Sequence, residues 1–173
     1  MASIGREEAL ATLADGQAEL AQLLARLTDE QMTQPATIGG GDWSAKDLIG
    51  HTAFVEEIAL ATLEAWLRGE RPPIAETFTP GNTDQQNAWN QERKRAWPVE
   101  RIRSDSEATH RRLISEIERM TDRDWTLHRP FEGDELEDLG TELGEVLGAP
   151  GKPFGHAFAH LPDLSDYVGQ VAS

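Results

Sequence analysis

The stretch Trp43-Ser44-Ala45-Lys46-Asp47-Leu48-Ile49-Gly50-His51 decides how the rest of the chain is read. Ser44 stands where a helix N-cap belongs, and Asp47, three residues on, is the reciprocal partner of a capping box. Trp43 precedes the cap and Leu48 falls at the fourth helical position, the two places of a hydrophobic staple. Together these features start a helix at about residue 45. Leu48, Thr52, Val55, Ile58, Ala59, Thr62 and Trp66 follow at helical spacing and form its inward face. Gly69 and the Pro72-Pro73 pair end it.

Outward from that helix the chain keeps the same period. Leu10, Leu13, Leu20, Leu24 and Leu27 form one leucine stripe over about residues 5 to 27, with Gln17 as a polar interruption. Gln34 to Gly41, rich in Gly and with Pro35, reads as a loop. After the second helix a long connection from Pro72 to about Thr83 leads into a shorter helix that begins near Asp84 and ends at Trp97-Pro98. A third long helix over about 99 to 120 turns Ile102, Thr109, Leu113, Ile117 and Met120 inward. Residues 121 to 151 are glycine-punctuated, with a short amphipathic piece expected around Glu137 to Leu147. The last helix is expected from about Pro153 to Val171, kinked or interrupted at Pro162. Four long helical segments and no strand pattern predict an all-α four-helix bundle, and the long connection frees the second and third long helices to run in the same direction. The 173 residues amount to one domain, 1–173, able to bury roughly 70% of the unfolded surface.

Composition narrows the function classes. The 31 Asp and Glu against 16 Lys and Arg give a formal charge of −15. Such a surface repels phosphate backbones and anionic lipid, so neither nucleic acid nor membrane is an expected partner. With no cysteine there is no disulfide, thiolate ligand or cysteine nucleophile. Arg6, Glu7 and Glu8 fall where a signal peptide needs an apolar run, and no stretch approaches about 18 uninterrupted apolar residues. The cytoplasm is the expected location.

Five histidines carry what chemistry there is: His51, His110, His128, His156 and His160. His156-Ala-Phe-Ala-His160 is an i, i+4 pair, which puts both imidazoles on one helix face roughly 5–6 Å apart at Cβ, close enough to share a divalent ion. Chance also produces this spacing. His51 borders the face of Leu48, Thr52 and Val55, where it is either a core histidine bonded to a side chain or the third imidazole of a three-histidine set. His110, beside Leu113 and Ile117, competes for that place, and His128 falls in a loop. Glu56 and Glu57 point roughly 120–140° around the helix from His51 and read as solvent-facing. Trp89 and Trp97 read as core anchors. Gly39-Gly40-Gly41 lacks the Lys-Ser/Thr of a phosphate-binding loop.

Three segments carry a family resemblance. Trp43 to His51 resembles the W-S-x-K-D-x-x-x-H opening of the second helix in DinB/YfiT-like proteins, and His156-Ala-Phe-Ala-His160-Leu-Pro resembles their closing H-x-x-x-H-L-P. Asp84-Gln-Gln-Asn87 is similar to a D-x-x-N segment in the branch related to colibactin self-resistance proteins. The resemblance implies a DinB-like four-helix bundle with a long crossover between its second and third helices. It also implies a divalent transition metal (nickel, zinc or iron) on His51, His156 and His160, with Asn87 as a substrate-pocket candidate. Relatives commonly have Tyr after the first of the paired histidines and Glu before the second; here these are Ala157 and Ala159, so this turn carries no phenol or carboxylate.

Two functions are consistent with this pattern. One is a metal-dependent enzyme acting on a small molecule by hydrolysis or by transfer of a low-molecular-weight thiol. The other is a non-catalytic bundle that binds or sequesters a small molecule around a vestigial or structural metal site. The expected partner is a small-molecule substrate, and a homodimer is compatible with either function.

Overall fold

The structure, a computed structural model, describes residues 4–39, 41–72, 83–129 and 138–171. Eight helices occur among them: α1 (Arg6–Leu24), α2 (Asp29–Met32), α3 (Ala45–Arg68), α4 (Thr83–Lys94), α5 (Val99–Arg119), α6 (Asp122–Trp125), α7 (Leu139–Val146) and α8 (His156–Val171). Extended backbone in these segments is limited to isolated bridges, such as Ile38 with Trp43. The fold is an all-α bundle of four long helices, α1, α3, α5 and α8.

Helix α3 begins where its capping signals place it. The Ser44 hydroxyl accepts from the Asp47 amide at 3.2 Å, and the Ser44 amide donates to the Asp47 carboxylate at 2.9 Å. It ends at Gly69, whose φ of 76° is the left-handed conformation that glycine adopts freely. Six of the seven residues expected on its inward face are buried; Ile58 is half-buried. The helix is also covered on its other sides, since Ile49, Ala53, Phe54, Leu60 and Leu63 are buried too. It is the central helix of the bundle, and α2, α4, α5, α7 and α8 all pack on it.

Side-chain pairs fix the directions of the helices. Lys46 Nζ donates to the carbonyls of Arg95 and Trp97 at the start of α5, His110 meets Glu56, and Arg112 pairs with Glu64. These partners ascend together, so α3 and α5 run parallel, as the crossover permits. Helices α1 and α8 are also parallel to each other: Gly16 lies against Ala157 and Phe158, and Leu23 and Arg26 share a groove with Leu161 and Ser165. An added Cβ on Gly16 would lie 3.0 Å from that of Ala157, so a glycine is what lets these helices approach so closely. Against α5, α1 runs the other way, with Arg6 donating to the Glu118 carbonyl at 3.1 Å.

Several boundaries differ from the sequence reading, each for a local reason. The leucine stripe is broken after Leu24. Thr28 and Gln31 form a second capping box that opens α2, and Leu27 packs from the turn between the helices. Thr121 and Asp124 do the same for α6, a helix not anticipated within the glycine-punctuated region. The expected amphipathic piece is α7, capped by Asp138, whose carboxylate accepts from the Thr141 amide at 2.7 Å; Leu139, Leu143 and Leu147 are fully buried. Glu137 and Gly133 lie outside the described residues, as do Gly40 and most of the connection between Pro72 and Thr83. Helix α8 starts at His156, later than expected, because Phe154 takes a left-handed φ of 59° and buries its ring beside Trp125, with ring centroids 5.8 Å apart. Pro162 is accommodated inside α8.

Helix α4 is held by polar contacts. Lys94, with its side chain only 4% exposed, lies between Glu57 at 3.1 Å and Asp105 at 3.0 Å. Asn90 donates to the Gly50 carbonyl at 3.0 Å. A charge this deeply buried persists only when paired, so this network fixes the crossover helix against α3 one residue from His51.

Candidate metal centre

His51 sits two turns into α3, fixed by the capping box and staple that begin the helix. Trp43, the staple residue, packs its ring against the imidazole with centroids 4.8 Å apart. His156 is the first residue of α8; its amide donates to the Leu147 carbonyl at 2.8 Å, which ties the start of α8 to the end of α7. His160 follows one turn later. Across the α3–α8 interface the three rings converge through one kind of atom. His156 Nε2 lies 2.9 Å from His51 Nε2 and 3.3 Å from His160 Nε2. Among the described residues, these three form the one set of metal-ligating side chains grouped closely enough to hold an ion.

The far sides of two rings decide what these nitrogens are. His156 Nδ1 lies 3.3 Å from the Gly148 carbonyl, which can only accept, so Nδ1 carries the proton and Nε2 carries a lone pair. On His51, Nδ1 is buried with no hydrogen-bond partner, and Asn87 Oδ1 is likewise buried without one. The Asn87 side chain acts on His51 so as to raise its pKa, the effect of an acceptor beside a ring N–H. Protonation of His51 at Nδ1 as well would leave the Nε2 lone pairs of His51 and His156 facing each other at 2.9 Å. That arrangement is repulsive unless a cation lies between them. Neutral imidazole nitrogens are also the donors that suit nickel, zinc and iron. The donor set therefore fits a divalent metal.

Burial holds the rings neutral. Desolvation is the main cause for all three, pushing His51 down to about 3 and His160 to about 4, with His156 lowered as well. The neighbouring imidazoles lower His51 and His160 further, and the Asn87 contribution to His51 is the smaller opposing one.

Other residues singled out in the sequence fall elsewhere. His110 does not join the cluster; its Nδ1 meets Glu56 Oε1 at 2.7 Å, with both side chains 13% exposed. Glu56 is thus not solvent-facing. It lines a cavity of about 20 Å³ together with Gln17, Thr52 and His156. A second cavity of about 80 Å³ shares Gln17 and Thr52 as walls. Treating α3 as a helix with one buried face hid this, because a central helix presents several faces to the interior. Glu57 is spent on Arg93 and Lys94. His128 is exposed, as its loop position implied. Trp89 is not a core anchor: it is 55% exposed, with the Arg93 guanidinium 4.9 Å from its ring centre. Trp97 is half-buried and packs against the core. The contribution of Gly148 had no signal in the sequence, being a backbone carbonyl.

Comparison with known proteins agrees with this architecture. The sequence profile of the DinB superfamily matches residues 6–148. Among curated proteins, none matches at the sequence level. The fold is similar to the crystal structure of an uncharacterised protein from Escherichia coli UTI89, with a TM-score of 0.77 and 13% identity over 96% of this chain and 94% of that one. It is also similar to a mycothiol-dependent maleylpyruvate isomerase, with a TM-score of 0.67 and 15% identity over 95% of this chain and 63% of the isomerase.

Proposed function

The chain belongs to the DinB superfamily, and from that premise we propose that it is a metal-dependent enzyme acting on a small molecule, with His51, His156 and His160 as the ligands. The observation that carries this reading is the convergence of the Nε2 atoms at 2.9 and 3.3 Å, with His156 anchored from behind by a carbonyl. Bound there, a divalent ion acts as a Lewis acid that makes a thiol or a water more acidic. Three protein ligands leave positions open for such a group. That a structural neighbour is a mycothiol-dependent isomerase supports chemistry with a low-molecular-weight thiol at the metal, of which thiol transfer is one form, over hydrolysis.

The chain's own residues supply the remainder. Ala157 and Ala159 provide no acid or base on the ligand-bearing turn. The Glu56–His110 pair fills that gap, because Glu56 lines the same cavity as His156 and can take a proton at its carboxylate while His110 Nδ1 holds it in place. Leu13, Val55, Leu147 and Phe154 form the apolar wall of that cavity and limit water there.

The test is to load the protein with nickel or zinc and titrate it with a low-molecular-weight thiol, using cobalt substitution to follow the thiol by its charge-transfer absorption. A new absorption band that saturates with thiol and is lost in His51→Ala is the expected result. A metal-loaded protein that shows no spectral response to any thiol but hydrolyses esters or amides would overturn thiol transfer in favour of hydrolysis.

A further inference from the structure

Helix α4 lies in the crossover between α3 and α5 and bears none of the three histidines, yet it packs on α3 directly behind His51. Asn90 donates to the Gly50 carbonyl and Lys94 packs its stem 3.5 Å from where a Gly50 Cβ would stand. These contacts hold α4 against the segment of α3 that carries His51. Asn87 stands about one turn before Asn90 on the same helix, and its side chain acts on the His51 ring. Two buried polar atoms in this neighbourhood have no hydrogen-bond partner: His51 Nδ1 and Asn87 Oδ1. One is a potential donor and the other an acceptor, and burying either without a partner is unfavourable.

We propose that Asn87 is a positioning residue for the metal centre: its side-chain oxygen accepts the His51 Nδ1–H, which fixes the tautomer that presents a lone pair at His51 Nε2. This rests on the metal reading above and deepens it by giving the crossover helix a role in the site. The geometry is asymmetric in a way that explains why an amide is needed. His156 obtains the same service from the Gly148 carbonyl, a backbone group close at hand in the α7–α8 turn. His51 sits in mid-helix, where every nearby backbone carbonyl of α3 belongs to the helix ladder, so its partner must come from another element. Asn87 supplies a neutral acceptor, which orients the ring without adding a charge to a buried cluster. Asn87 thereby links loading of the site to docking of α4, whose remaining anchors are Asn90 and Lys94.

The experiment uses the full chain purified without a histidine tag and stripped with a chelator, with zinc and nickel as probes. Asn87→Leu keeps the approximate shape but cannot accept a hydrogen bond, and is expected to bind zinc about 10–100-fold more weakly. Asn87→Asp restores the acceptor and is expected to bind at least as tightly as the parent. The second readout is independent of metal: ¹⁵N shifts of the imidazoles in the stripped protein should show His51 protonated at Nδ1, and Asn87→Leu should move that proton while leaving His156 as it was. Unchanged zinc affinity in a folded Asn87→Leu variant, or a His51 protonated at Nε2 in the stripped parent, would overturn the proposal. If the parent takes up neither zinc nor nickel, the metal reading falls, and the tautomer measurement still decides this one.

Discussion

His51 Nε2 and His156 Nε2 lie 2.9 Å apart although 105 residues separate them in the sequence. Helix α3 delivers the first and the start of α8 the second, so the contact exists only when the bundle is closed. Behind His156 stands the Gly148 carbonyl of the α7–α8 turn, and behind His51 stands α4, which docks on the neighbouring Gly50 carbonyl through Asn90.

Replacing His51, His156 or His160 by Ala should each lower zinc and nickel affinity by orders of magnitude while leaving helical circular dichroism largely intact. His110→Ala should leave metal binding nearly unchanged, since its Nδ1 is engaged by Glu56 at 2.7 Å. Isothermal titration or chelator competition measures this. Equal loss of affinity in His110→Ala and His51→Ala would contradict the ligand assignment.

The start of α3 can be tested separately from the metal. Ser44→Ala removes the acceptor for the Asp47 amide and should cost about 0.5–2 kcal/mol in chemical denaturation. Trp43→Ala should cost more, because it also removes ring contact with His51 and with the core. Two variants as stable as the parent would show that the cap and staple do not hold this helix.

Much of this was legible in residues 43–51, because a capping box and a staple are local chemistry and α3 follows from them. The His156/His160 pair was legible from its i, i+4 spacing, but His51 joined it only through the family resemblance, because spacing alone left it open between a core position and a third ligand and left His110 as a rival. What was not legible depends on the third dimension. Glu56 appeared solvent-facing because one-sided amphipathicity was assumed for a helix that is covered on several sides. Trp89, an aromatic in a helical segment, suggested a core position, but α4 docks through Asn90, Lys94 and Arg93 and leaves the indole exposed. The short helices α2 and α6 were missed because four residues are too few for a periodic signal, although their capping boxes stand in the sequence.

Lys94 anchors the crossover helix. Lys94→Ala should destabilise the protein by about 3 kcal/mol, near the lower end of the range for breaking a buried pair, because Glu57 and Asp105 are each about one-third exposed and recover hydration. Lys94→Met, which keeps most of the stem, should cost less. Urea denaturation distinguishes them, and a neutral Lys94→Ala would mean that α4 is not held by this network.

Stability of the stripped protein should depend on pH with a definite sign. The folded-state pKa values of the three histidines lie below the ordinary 6.5, at about 3 for His51 and about 4 for His160. Protons therefore bind the unfolded chain in preference. The contribution is full above about pH 6.5 and is lost as pH falls toward the folded values. Thermal midpoints in chelator should fall between pH 7.5 and pH 5.5, a window in which ordinary carboxylates hardly titrate, and the fall should be smaller in His51→Ala. A midpoint that rises on acidification through this window would contradict the burial of neutral rings.

The central claim is that this bundle is built around an ion, and the most direct measurement is the metal content and rebinding of the full chain purified without a histidine tag. The account predicts close to one zinc or nickel per chain, removal by chelator with a lower thermal midpoint at pH 7.5, and recovery of both on adding the ion back. A folded chain that carries no metal and shows no change in thermal midpoint when zinc or nickel is added would contradict it.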